Sequence, residues 1–186
     1  MQDPKRIDWF NLERLKEGSV RQRNAAETLE ELNVFNDLKP YNPALCGTIP
    51  IDCDIPTSDL DVVCTSPDLA HFMDRVIRLY TNKEGFYCEE KMVKGMLSVV
   101  CRFMFENWPI EIVCQRLPVE KQRAFGHMLA EAHLLFRHGS AIKTSVRKLK
   151  SKGHSTEEAF ASVFSLPGDP YEALMEIYCK EFNIKL

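Results

Sequence analysis

Asp59 and Asp61 stand two positions apart in the run Asp59-Leu60-Asp61-Val62-Val63. In an extended chain alternate side chains share a face, so both carboxylates project together while Leu60 and Val62 point the other way. Two carboxylates so close repel each other and stay ionised only beside a compensating cation. Mg2+ (or Mn2+), with its preference for oxygen ligands, suits such a pair. A third carboxylate, Glu111, sits between Ile110 and Ile112. On a strand lying beside the first, it projects from the same face, and the three carboxylates are expected to converge. Clustered carboxylates on neighbouring strands are what metal-assisted phosphoryl or nucleotidyl transfer requires. Gly47-Thr48 precedes Asp59 across a spacer of ten residues. A glycine lets backbone approach a phosphate closely, and its N–H and the neighbouring hydroxyl can bond phosphate oxygens.

This order and spacing resembles the signature of the DNA polymerase β-type nucleotidyltransferase superfamily. That signature is Gly with a hydroxyl residue, a spacer, Asp-x-Asp, and a later acidic residue on a strand. Thr48 stands where the superfamily usually carries Ser. The longer stretches Gly47–Cys64 and Glu111–Met128 are similar to an uncharacterised bacterial family within it. The resemblance implies that Asp59, Asp61 and Glu111 ligate metal, with Glu111 accepting the proton of an attacking hydroxyl. It implies that Gly47, Thr48 and Ser58 hold a triphosphate. The reaction implied is in-line attack by an acceptor hydroxyl on the α-phosphorus of an NTP, with release of pyrophosphate. The acceptor, whether small molecule, protein or RNA, is not specified. Two alternatives use the same residues: a nucleotide- or partner-binding module without turnover, and a metal-dependent nucleotide phosphohydrolase.

Other polar residues have a functional and a structural reading. Asp52 and Asp54 read as loop-solvating acids in the spacer. Gln115 and Arg123 are candidate substrate contacts, although each also fits a solvated or structural role. His127 and His133 are six apart, which is not the helical spacing of a metal pair, and read as structural or surface residues. Lys143, Arg147, Lys148, Lys150 and Lys152 form a basic run, read as a solvated helix face. No aromatic residues interleave with it, which weakens a nucleic-acid reading.

The elements that must position these residues follow from periodicity and punctuation. Ser19 caps a helix whose apolar positions include Ala25, Leu29 and Leu32, and Pro40 and Pro43 end the helical stretch. Residues 44–47, stopping at the glycine, and 60–64 read as strands, with the proline-bearing spacer between them a loop. Ser66 and Pro67 are expected to open an amphipathic helix through Tyr80. Three extended segments follow, joined at Lys94-Gly95 and Glu106-Asn107 by hairpin turns. From Pro118 the chain reads as helical to His138, with Ser155–Glu158 and Asp169-Pro170 opening two later helices. The fold expected is α+β: a small mixed sheet of the nucleotidyltransferase type, flanked by N- and C-terminal helices. The domain division expected is a core over 1–116 and a helical part over 117–186, the two allowing a reading as one domain.

Composition excludes several classes. The 186 residues carry 45% hydrophobic and 27% charged side chains, values of a globular chain. A net charge of −3 and a pI near 6.0 exclude the basic footprint of a general DNA-coating protein. No apolar run approaches a membrane span, and the charged start reads as no signal peptide. The seven cysteines lack any C-x-x-C spacing and several lie in apolar runs. They are expected to be free, buried and non-catalytic, with Cys53 in the polar spacer the least certain, and the chain cytoplasmic.

Overall fold

The structure is a computed structural model in which residues 2–185 are described, and its fold is α+β. The chain forms two compact units. One comprises Trp9–Cys46 and Asp59–Gln122, the other Met1–Asp8, Gly47–Ser58 and Arg123–Leu186.

The first unit carries the sheet. Helices α1 (Glu13–Lys16), α2 (Val20–Glu31) and α3 (Val34–Asp37) precede strand β1 (Ala44–Cys46). Ser19 caps α2, as the sequence predicts, and Gln22 returns a bond to its backbone in a capping box. Then come β2 (Leu60–Thr65), α4 (Leu69–Tyr80), β3 (Glu84–Val93), β4 (Met96–Phe105) and β5 (Trp108–Gln115), in the spatial order β1-β2-β5-β4-β3. Strands β2 and β5 are parallel and every other pairing is antiparallel. A parallel pair needs a long crossover, and α4 with the β3–β4 hairpin supplies it. Helix α4 covers one sheet face with buried Phe72, Val76 and Tyr80, and Tyr80 stacks on Phe103 of β4 at 5.0 Å between ring centroids. Lys94 and Gly95 join β3 to β4 with φ of 48° and 82°, the left-handed pair that a two-residue hairpin turn of this kind requires.

Two expected boundaries move. The α4 cap is Asp68 rather than Ser66: the Asp68 carboxylate accepts the His71 N–H at 2.9 Å, while the Ser66 hydroxyl accepts the Asp68 N–H in a local turn. Pro118 opens only a 3-10 turn over Val119–Lys121. The chain is then extended at Gln122, whose side-chain amide donates to the carbonyls of Cys64 (2.8 Å) and Leu117 (3.0 Å). Those bonds hold Gln122 out of the helix, and α5 begins at Arg123.

The cysteine expectation is corrected in one place. Cys88 and Cys101 form a disulfide between β3 and β4. They are directly opposite in the hairpin register, and an antiparallel pair sets such side chains facing each other. Cys46, Cys53, Cys64 and Cys114 are free and buried.

The second unit is helical: α5 (Arg123–His138), α6 (Ile142–Lys150), α7 (Thr156–Phe164) and α8 (Pro170–Phe182). Ser155 and Glu158 form the predicted capping box of α7, and Asp169 caps α8. Gly126 lets α8 close on α5, since a Cβ there would lie 2.8 Å from the Tyr178 ring and 2.9 Å from Met175. His127 ties three helices together. Its Nδ1 lies 3.1 Å from the Glu157 carboxylate and its Nε2 3.0 Å from the Tyr171 carbonyl. No helix among the described residues is long and apolar enough to cross a membrane.

Candidate functional site

Within the sheet unit, register assembles one row of side chains across all five strands. Cys46 of β1 pairs with Asp61 of β2, Asp61 with Glu111 of β5, Glu111 with Arg102 of β4, and Arg102 with Tyr87 of β3. Residues opposite one another in register share a face, so all five project from one side of the sheet. Burial falls along the row. Cys46 is fully buried, Asp61 and Glu111 are half-buried, and the Arg102 and Tyr87 side chains are exposed at the open edge. The parity argument from sequence therefore holds for Asp61 and Glu111, which are immediate neighbours on parallel strands.

Asp59 is placed differently. It lies one residue before β2 and is exposed. The expected convergence of three carboxylates is not what the structure displays: among the described residues, no three His, Cys, Asp or Glu side chains are grouped to hold one metal ion. Glu111 is paired instead with a base. Arg102 Nε donates to Glu111 Oε2 at 2.5 Å, and Arg102 Nη2 contacts the same oxygen. With the two side chains 53% and 23% exposed, such a pair contributes about 0–1 kcal/mol. The two neighbouring carboxylates still fit a divalent cation. Mg2+ is commonly bound through one or two carboxylates, with its other positions filled by water and substrate phosphate.

In the second unit the spacer is a tightly tied loop. Gly47 has φ 72°, a conformation that favours glycine. The Thr48 hydroxyl donates to Ser58 Oγ at 3.4 Å and accepts from Lys150 Nζ at 3.0 Å, and Lys150 also reaches the Cys53 carbonyl at 3.4 Å. Asp52 takes Lys143 Nζ on one carboxylate oxygen at 2.8 Å and Arg147 Nη2 on the other at 2.9 Å. Arg147 also donates to the backbone carbonyls of Asp52 and Asp54. The Thr48 hydroxyl thus links Ser58 to the Lys150 ammonium.

Two readings of the basic run and the spacer are corrected here. Lys143, Arg147 and Lys150 are spaced i, i+4 and i+7 on α6 and face the loop rather than solvent, and Asp52 is a clamp rather than a solvating acid. That spacing was the signal available in the sequence. For Arg102 the signal was its position as the one charged residue of β4, in an otherwise apolar run.

The remaining candidates have structural partners. The Gln115 amide, buried, donates to Ser98 Oγ at 2.9 Å, and Arg123 pairs with Glu172 at 2.7 Å. Burial pushes the Cys53 thiol up to about 12, with the Glu131 charge adding to the shift. Glu131, buried in α5, has its carboxyl pushed well above the ordinary range by the same desolvation. The Cys53 thiol, protonated at neutral pH, is not a nucleophile there.

No curated protein matches the chain in sequence. Among solved structures it is similar to a cytoplasmic RNA terminal U-transferase, with a TM-score of 0.50 and 12% identity over 84% of this chain and 46% of that one. It is equally similar to the Cid1 poly(U) polymerase with Mg 3'-dATP bound, at a TM-score of 0.50 and 13% identity over 82% of this chain and 46% of that one. The chain thus spans less than half the length of these two structures, and identities this low establish a shared fold. The fold is the nucleotidyltransferase type that the Gly47-Thr48…Asp59-x-Asp61…Glu111 pattern led us to expect. A family model described as a domain of unknown function, DUF4269, matches residues 27–177, and the chain belongs to that family.

Proposed function

We propose that the protein is a divalent-cation-dependent nucleotidyltransferase, moving a nucleoside monophosphate from an NTP to an acceptor hydroxyl with release of pyrophosphate. The observation that supports this best is the direct register of Asp61 and Glu111, two half-buried carboxylates side by side on parallel strands. In this reading Asp61 and Glu111 ligate Mg2+ or Mn2+. A bound divalent ion supplies charge neutralisation at the reacting phosphate oxygens. Gly47, Thr48 and Ser58 bind the triphosphate through backbone N–H and hydroxyl groups, with the Lys150 ammonium as their cationic partner. Glu111 accepts the proton of the attacking hydroxyl. Gln115 and Arg123 serve as lesser substrate contacts, or remain structural.

The donor is an NTP of unspecified base, and the acceptor a small molecule, protein or RNA. We place the chain in the cytoplasm on its four buried free thiols, against which the Cys88–Cys101 disulfide is the one contrary observation. A second reading, a nucleotide-binding module without turnover, draws on the Arg102–Glu111 pair, which neutralises one of the two acids.

The test is a melting-temperature panel of wild type and Asp61→Asn with each of four NTPs and Mn2+, alongside pyrophosphate release with candidate acceptors. A nucleotide at 100 times its Kd stabilises by about 2.7 kcal/mol. That shift should appear in wild type and vanish in Asp61→Asn. A panel in which no NTP moves wild type ends the proposal. A nucleotide shift without pyrophosphate release under any condition favours the binding module.

A further inference from the structure

We propose that Arg102 is a positioning residue of the acidic pair: it is the counter-ion of Glu111 while no cation is bound, and a divalent cation at Asp61 and Glu111 displaces it. This rests on the reading of Asp61 and Glu111 as cation ligands and goes beyond it, because it assigns a role to a residue outside that pattern.

Three observations carry it. First, both guanidinium contacts are to a single oxygen, Glu111 Oε2, so Arg102 occupies a carboxylate oxygen that a cation could otherwise use. Second, the two partners differ in freedom. The Arg102 side chain is 53% exposed and that of Glu111 23%. The guanidinium can therefore swing on its flexible stem toward solvent without disturbing packing, while Glu111 stays in the sheet. Third, register sets Arg102 one strand from Glu111 and two from Asp61. A doubly charged ion held between the acids would face a like charge at close range, so the two cations compete for one carboxylate. Arg102 thereby keeps Glu111 oriented before the metal arrives, at the expense of metal affinity.

The experiment is a titration of the full-length chain with Mn2+, followed by calorimetry and by the electron paramagnetic resonance signal of free Mn2+. The proteins are wild type, Arg102→Gln, Arg102→Lys and Asp61→Asn. Arg102→Gln should bind Mn2+ about tenfold more tightly than wild type, equivalent to about 1.4 kcal/mol. Arg102→Lys, which keeps the charge but not the fork, should fall between the two. Asp61→Asn should lose binding. Equal or weaker binding by Arg102→Gln, with wild type binding and Asp61→Asn not, overturns the role of Arg102 and leaves the cation site standing. Binding by neither wild type nor Arg102→Gln overturns both. Should Arg102→Gln fail to fold, the Arg102 side-chain N–H resonance in wild type decides. It must move in step with Mg2+ binding, and a resonance unmoved at saturation overturns the proposal.

Discussion

Replacing Asp52 should loosen the hydroxyl loop and the second unit together, by an amount the structure sets. Asp52 carries two loads. Its carboxylate takes Lys143 at 2.8 Å and Arg147 at 2.9 Å, with the Asp52 side chain 28% exposed and its partners 15% and 37%. Its backbone has φ 57°, in the left-handed region. Partly exposed pairs contribute roughly 0.5–1 kcal/mol each, so the two together are worth about 1–2 kcal/mol. The left-handed conformation costs an ordinary residue about 1–2 kcal/mol, and Asp, Asn and Gly tolerate it. Asp52→Asn removes only the charge and should cost about 1–2 kcal/mol. Asp52→Ala loses both and should cost about 2–4 kcal/mol. Near 2–4 °C per kcal/mol for a chain of this size, the melting temperature should fall by about 2–8 °C for Asn and further for Ala. Because the pairs are partly exposed, 1 M NaCl should erase most of the Asn effect and leave the conformational part of the Ala effect. Hydrogen exchange supplies a local reading: the Cys53 amide, bonded to the Thr48 carbonyl at 3.0 Å, should exchange faster in both variants. Variants within about 1 °C of wild type, or Ala no worse than Asn, would refute this account of the clamp.

Cys53 should resist iodoacetamide at pH 8 in the native protein, since its thiol is fully buried and pushed up to about 12, while unreduced peptide maps should show Cys88 linked to Cys101. Rapid labelling of Cys53, or separate labelling of Cys88 and Cys101 in the oxidised protein, would contradict the packing described. Burial pushes the Glu157 carboxyl up, but the hydrogen bonds from His127, its own backbone and Ser155, with the His127 charge, together outweigh it, and the group sits below its ordinary 4.5. A depressed carboxyl contributes stability that is present above the unfolded value and lost as pH falls through the folded one. Melting temperature should therefore drop below pH 4.5 in wild type, and His127→Gln should flatten that drop. Superimposable pH profiles would exclude the pair as its source.

Much of the architecture follows from local rules that operate within a few residues. The Ser19 cap, the capping box at Ser155, the Asp169-Pro170 start, the Lys94-Gly95 turn and the alternation that sets Asp61 opposite Leu60 and Val62 all depend on neighbours in the chain, so composition and period suffice to read them. The same alternation around Glu111 made its face legible, although not its neighbour. Whatever depended on register or packing was decided only in three dimensions. Cys88 and Cys101 are unremarkable in sequence and become a disulfide because a two-residue turn makes them opposite. Arg102 sits beside Glu111 because β4 lies next to β5, and no local signal says which strand will be adjacent. Lys143, Arg147 and Lys150 look like a solvated stripe until the 47–58 loop folds against them within the same unit. A chain read from the sequence alone carries its charges without their partners. Long-range pairing, which juxtaposes residues nearly a hundred positions apart such as Asp52 and Arg147, assigns those partners.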